Sequence, residues 1–228
     1  MAAYDAICFD LDQTLCEPTR DAATLLESTF DRVGCEPFCT PADLRAAVPS
    51  LPTAETDREF YENLFTAVVD RAESDLDTGI APALAAQYLE LQDPTAVRFR
   101  PGAKAALERA RECGPVGLIT NGGRPTQTQK LEALDIADAF DVRVFTEPSA
   151  GIHPKPNAVP FEYALGELGV APDAAIHVGD SLHADIAGAN AMGIDSAWID
   201  LGRDDRDGVE HEPTYELSSL EAFDTIIY

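Results

Sequence analysis

The sequence predicts an α/β fold, a doubly wound parallel sheet with a Rossmann-like core, interrupted by an all-α inserted domain. Three observations predict it. Short apolar runs alternate with helical periodicity from residue 98 onward, the stretch 17–97 carries helical periodicity without strand character, and a lone apolar run at 6–9 precedes that stretch. Alternating strands and helices imply right-handed crossovers, a parallel sheet and helices on both of its faces. The expected division is therefore 1–16 with 98–228 for the α/β core and 17–97 for the helical domain.

The first strand, Ala6 to Phe9, is a continuous apolar run with β-branched and aromatic residues, the mark of a strand buried on both faces. It ends on Asp10-Leu11-Asp12. A period of two places both carboxylates on one side of the carboxyl end, the edge where open α/β sheets bind ligands. The local alternative is that Asp10 opens a turn and Asp12 caps the segment after it.

In the helical stretch, Leu25, Leu26, Phe30 and Val33 fall at helical spacing over 21–33, and Phe60, Leu64, Phe65 and Val68 do so over 55–74. Thr40-Pro41-Ala42-Asp43 reads as an N-cap, a first-turn proline and an acid in the opening turn. A further helix covers Ile80 to Leu91. Asp93-Pro94 ends the pattern, and Arg100-Pro101-Gly102 opens a helix that runs through Cys113.

Strands are then expected at Val116–Thr120, Val142–Thr146, Ala174–Val178 and Ile194–Ile199, alternating with helices at Gln127–Leu134, Val159–Leu168 and Ala184–Met192. Arg203 to Glu212 reads as a solvated acidic loop. Thr214 to Leu217 adds an edge strand before a short terminal helix.

Three further strand ends or loops carry residues suited to chemistry. Thr120-Asn121-Gly122-Gly123 follows an apolar strand with a hydroxyl, an amide and exposed backbone N–H groups able to hold an anion; the alternative is a simple glycine turn. Lys155 lies between Pro154 and Pro156, which keep an early helix from forming around it; the alternative is a surface lysine. Val178-Gly179-Asp180 repeats the design of the first strand, with Asp185 five residues on, although Asp180 could equally cap the next helix. His177, inside that apolar run, reads as a core residue, and His183 is given no role.

Composition sets the partners. The 228 residues include 41 acidic and 16 basic side chains for a net charge of -25, and the lysines are only Lys104, Lys130 and Lys155. A field of that sign disfavours nucleic acid and anionic membranes. It repels phosphorylated ligands too, unless a site brings its own cations. With 45% hydrophobic residues the chain still builds a core, and the pairing of an acid-rich surface with scarce lysine predicts adaptation to high salt, where screening relieves self-repulsion. No run is long enough to span a membrane, and Asp5 and Asp10 interrupt the region where a signal peptide would lie, so a cytoplasmic protein is expected. Five scattered cysteines argue against a disulfide framework; Cys35 and Cys39 have helical spacing but no nearby histidine to complete a metal site.

Taken in order, Asp-x-Asp, Thr-Asn-Gly, an isolated lysine and Gly-Asp resemble the four motifs of the haloacid dehalogenase-like hydrolase superfamily, and the match spans essentially the whole chain. The resemblance implies a magnesium-dependent phosphatase of small phosphorylated metabolites, with the helical insertion as its cap domain. It implies that Asp10 is the nucleophile, that Asp12 is the general acid and base, and that Thr120, Asn121 and Lys155 hold the phosphoryl group. Magnesium would be bound by Asp10, Asp180 and the backbone carbonyl of Asp12, with Asp185 orienting Lys155 or a metal-bound water. Gln13 departs from the glycine, asparagine or acid more usual after the second aspartate. A haloacid dehalogenase, a phosphosugar mutase and a phosphoreceiver module are the competing expectations; Asp12 speaks against the first and the last. Neither substrate nor oligomeric state is readable.

Overall fold

The structure is a computed structural model in which residues 4–72, 78–203 and 211–227 are described. The chain divides into two compact units, one made of Met1–Glu17 with Val97–Tyr228 and the other of Pro18–Ala96.

The larger unit is built on a six-stranded parallel sheet of β1 (Ala6–Phe9), β4 (Val116–Ile119), β5 (Val142–Val144), β6 (Ala175–Gly179), β7 (Asp195–Ile199) and β8 (Tyr215–Leu217), in the order β5-β4-β1-β6-β7-β8. β1 is central, with Cys8 in register with Gly117 on one side and His177 on the other. Its side chains alternate between two cores. Ile7 and Phe9 pack with Leu107, Leu131 and Phe223 on one face, while Cys8 packs with Ile119, Phe161 and Leu165 on the other. Each fully buried side chain of this size contributes about 1.5–3 kcal/mol. Helices α5 (Ala103–Cys113) and α6 (Arg124–Ala133) cover the first face, and α7 (Ala158–Leu168) and α8 (Ala187–Ala191) the second. The sheet is therefore doubly wound. Two short strands, β2 (Cys16–Pro18) and β3 (Val97–Phe99), pair with each other where the chain leaves and re-enters this unit.

The smaller unit holds α1 (Ala22–Val33), α2 (Pro41–Ala47), α3 (Asp57–Arg71) and α4 (Ala81–Leu91) around its own core of Leu26, Phe30, Phe65 and Leu84. Its helix ends are sealed by local chemistry. Asp21 accepts from the Thr24 N–H, and Thr40 and Asp43 form a reciprocal capping box. Thr56 caps α3, so that helix starts at Asp57; residues 73 and 74 of the expected span lie outside the described residues.

Several boundaries differ from those expected. α6 begins at Arg124, because Pro125 sits in its first turn, where the missing N–H costs nothing. β4 and β5 stop at Ile119 and Val144, and Thr120 and Thr146 lie past the strand ends. The helix expected from Ala184 opens instead as a wide π turn at Leu182–Ile186, drawn out by the inward contacts of Asp185 with Lys155 and His177. The loop expected over Arg203–Glu212 lies largely outside the described residues. No helix among the described residues is long and apolar enough to cross a membrane.

Candidate active site

The carboxyl edge of β1, β4 and β6 gathers the acids and the lysine. Asp10 directly follows β1, and its N–H still donates to the Val178 carbonyl (2.9 Å), so the sheet pins it. Lys155, 4% exposed, reaches in from the loop before α7. Its Nζ donates to Asp10 Oδ1 (2.8 Å), Asp185 Oδ1 (2.6 Å) and the Ile119 carbonyl (2.5 Å). All three donor positions of the ammonium are thereby used. The Asn121 side chain clasps the lysine's backbone from both sides, accepting from its N–H at 2.7 Å and donating to its carbonyl at 2.9 Å. Asn121 thus acts in this fold by fixing the lysine loop to the end of β4.

Asp185 is buried deeper still. Besides Lys155, its Oδ1 meets His177 Nε2 at 2.9 Å, and its Oδ2 accepts from the Ser181 N–H at 3.0 Å. A Cβ at residue 179 would overlap this carboxylate, which is why Gly precedes Asp180. Asp180 has its carbonyl held by the Trp198 indole N–H (2.9 Å), while its carboxylate accepts from Arg203 Nη2 (2.8 Å) and, at 3.4 Å, from the Thr14 hydroxyl.

Burial and crowding shift these groups apart. Burial is the largest influence on Asp10 and pushes it up to about 7, against the pull of Lys155. Burial, then Asp10 and Asp185, raise Asp180 well above the carboxylate range. For Asp185, burial acts upward but Lys155 and His177 outweigh it, holding the carboxyl well below its usual range. Lys155 is raised because Asp10 and Asp185 overcome its own burial. Burial lowers His177. Asp185 and Lys155 therefore form a fixed ion pair, while in Asp10 and Asp180 burial and crowding disfavour the charged form despite their bonds to Lys155 and Arg203.

Oxygens of Asp10, Asp180 and Asp185 lie within 4.8 Å of one another, a hard-oxygen donor set that fits a divalent cation such as magnesium. Asp10 and Asp180, whose charged forms burial and crowding disfavour and a bound cation would favour, are the apt ligands. The Asp12 carboxylate is not in this cluster; it turns to α6, where Lys130 Nζ donates to Oδ1 and Oδ2 (2.7 Å each) and Gln127 Nε2 donates to Oδ2 (2.7 Å). The strand stops at Phe9, and Gln13 takes a left-handed backbone (φ 67°). That conformation explains why glycine or asparagine would be easier at position 13. Thr120, 3% exposed, lies past the end of β4 and accepts from the same Gln127 amide at 2.6 Å.

Reading the sequence by motif missed Gln127 and Lys130 as partners of Asp12, and Arg203 as a partner of Asp180 and, at 3.2 Å, of Gln13. A signal existed for the first pair: a scarce lysine three residues after a glutamine shares its helix face.

Comparison with known proteins places the chain in a family. A family model described as haloacid dehalogenase-like hydrolase matches residues 4–193. A pyrimidine 5'-nucleotidase, YjjG, of Escherichia coli K12 is 34% identical over 130 residues, 56% of this chain and 56% of that protein, so the chain spans about half of that relative's length. A glyceraldehyde 3-phosphate phosphatase of Pyrococcus abyssi is 30% identical over 201 residues, covering 86% of this chain and 82% of that one. In fold, the chain matches the hydrolase YfnB of Bacillus subtilis, solved with magnesium bound, with a TM-score of 0.72 at 21% identity over 98% of each chain. With its four motif positions carried on a doubly wound parallel sheet and a family match over most of its length, the chain belongs to the haloacid dehalogenase-like hydrolases.

Proposed function

We propose that the protein is a magnesium-dependent phosphatase of small phosphate monoesters that works through an aspartyl phosphate on Asp10. The observation that carries this reading is the buried Lys155 ammonium set between Asp10 and Asp185 at the carboxyl edge of the sheet, beside Asp180. It supplies the fixed cation that a dianionic substrate needs in a chain of net charge -25. The named activities of the relatives, a nucleotidase and a sugar-phosphate phosphatase, support the same class.

Asp10 has one oxygen held by Lys155, which aims the carboxylate and leaves the other oxygen to attack phosphorus. The Thr120 hydroxyl donates to an equatorial oxygen, and the Lys155 ammonium, its hydrogens held by Asp10, Asp185 and the Ile119 carbonyl, acts on the phosphoryl group as a fixed positive charge where charge spreads in the transition state. Asp12 gives a proton to the departing oxygen and later takes one from the attacking water. Asp185 holds Lys155 in place. Asp10 and Asp180, with the Asp12 carbonyl, would hold magnesium, which when bound neutralises phosphoryl charge as a Lewis acid. The helical unit is assigned the role of cap domain, selecting the leaving group.

The test is phosphate release from a panel of monoesters with magnesium. Asp10→Asn should abolish it while leaving the fold intact; full activity in that variant excludes Asp10 as nucleophile. Chloride release from 2-chloropropionate without magnesium would instead favour a dehalogenase.

A further inference from the structure

We infer that Lys130 and Gln127 of α6 are positioning residues for Asp12, fixing the plane of its carboxylate and reserving Oδ1 for the proton it gives and takes. The inference rests on the assignment of Asp12 as acid and base and deepens it.

The carboxylate of Asp12 hangs on a terminal torsion with a broad, soft profile, so without partners its oxygens exchange places readily. Here Oδ2 accepts two donors, Lys130 Nζ and Gln127 Nε2, each at 2.7 Å, and Oδ1 accepts one, Lys130 Nζ at 2.7 Å. Oδ1 keeps the lone-pair capacity that a proton requires. The glutamine's orientation is dictated by the acid, since an ionised carboxylate only accepts and the amide must turn its NH₂ toward it. That orientation leaves Gln127 Oε1 buried without a partner, a destabilising arrangement that a purely packing side chain would avoid. Room for it depends on Gly122, where a Cβ would overlap the Gln127 side chain.

The same Nε2 donates to Thr120 Oγ1 at 2.6 Å. Because Thr120 accepts there, its own hydrogen remains to be donated to a phosphoryl oxygen. One buried amide therefore ties the acid and base of the reaction to the hydroxyl that binds the transferring group.

In the first step an Asp10 oxygen bonds to phosphorus as the bond to the alcohol oxygen breaks; that oxygen keeps the electron pair and takes the proton from Asp12 Oδ1. In the second, a water oxygen bonds to phosphorus, its proton passes to Oδ1, and the bond to Asp10 breaks to restore the carboxylate. Both steps need Oδ1 aimed at the reacting oxygen, and a misplaced group costs on the order of 100-fold.

The experiment compares first-turnover release of alcohol from an alkyl phosphate with release of nitrophenolate from nitrophenyl phosphate, which needs no proton to depart. Lys130→Met should slow the alkyl reaction about 10- to 100-fold with KM little changed, and the nitrophenyl reaction by less than about threefold. Lys130→Arg should restore most of the loss. Gly122→Ala, which displaces Gln127 without deleting a polar group, should show the same leaving-group dependence, and it carries the test should Lys130→Met fail to fold. Equal losses on both substrates, an unchanged alkyl rate, or a change in KM alone would overturn the inference while leaving the phosphatase reading intact. Asp12→Asn without leaving-group dependence, or no phosphate release by the wild-type protein, would overturn the parent reading and this one with it.

Discussion

Replacing Lys155 by Met removes the one cation buried among Asp10 and Asp185 and puts a side chain of similar length in its place. Its side chain is 1% exposed, and its ammonium meets the two carboxylates at 2.8 and 2.6 Å. Breaking a buried pair by deleting one partner costs about 3–5 kcal/mol, and at this chain length each kcal/mol lowers Tm by about 2–4 °C, so a drop of roughly 6–20 °C is expected. The sign with pH comes from the shifts. Asp185 is held below its unfolded value, so its contribution in the wild type is present above that value and lost as pH falls through the folded one. Lys155 is raised, so its contribution is fully present below its unfolded value and lost only as pH rises through a still higher one. In the variant, burial and the mutual repulsion of Asp10 and Asp185 act without the lysine's pull and outweigh His177, favouring the protonated forms, which makes the variant's stability fall as pH rises. The deficit should therefore be larger at pH 8 than at pH 5. Trp198, the single tryptophan and buried beside β6, reports unfolding of the α/β unit by fluorescence. A Tm deficit under about 3 °C, or one equal at both pH values, would refute the ion-pair argument.

The other expectations concern Asp10 and the surface. Asp10 is raised to about 7, so between its unfolded value and pH 7 the folded state holds a proton that the unfolded state has lost; metal-free stability should fall across that window by at most about 4 kcal/mol. Asp10→Asn should flatten that profile, and magnesium should raise the wild-type Tm more at pH 8 than at pH 5; a gain from magnesium that is independent of pH in the wild type, measured by calorimetry, would count against a cation at Asp10. With 41 acids against 16 bases, stability should rise between millimolar and molar potassium chloride, and unchanged denaturation midpoints would exclude adaptation to high salt.

How much of the fold and site was legible depended on how far apart the interacting residues lie. β1 and β6 were readable because their burial on both faces leaves uninterrupted apolar runs, and α2 because Thr40, Pro41 and Asp43 encode its start within four residues. The π turn before α8 was not readable, since nothing in Ser181-Leu182-His183-Ala184 demands it; it forms because Asp185 is drawn to a lysine 30 residues earlier and to His177. Asn121 read as a backbone N–H donor to an anion; what the sequence did not record is that its side chain closes on the backbone of residue 155, a contact across 34 positions.

Lysine usage links these long-range contacts to a trace that the sequence does contain. Of the lysines in the chain, Lys155 ends on Asp10 and Lys130 on Asp12, across 145 and 118 positions respectively. Burial gives no electrostatic reason to keep two of the chain's few lysines at partly or wholly buried positions, where desolvation opposes the charge. Each of the two lysines ends on one of the pair of acids that follow β1, Lys155 on Asp10 and Lys130 on Asp12, which on the proposed function are the attacking carboxylate and the one that moves the proton. In a chain of this composition the rare basic residue is thus a better guide to the site than the abundant acidic one, because scarcity leaves few surface lysines to confuse with it.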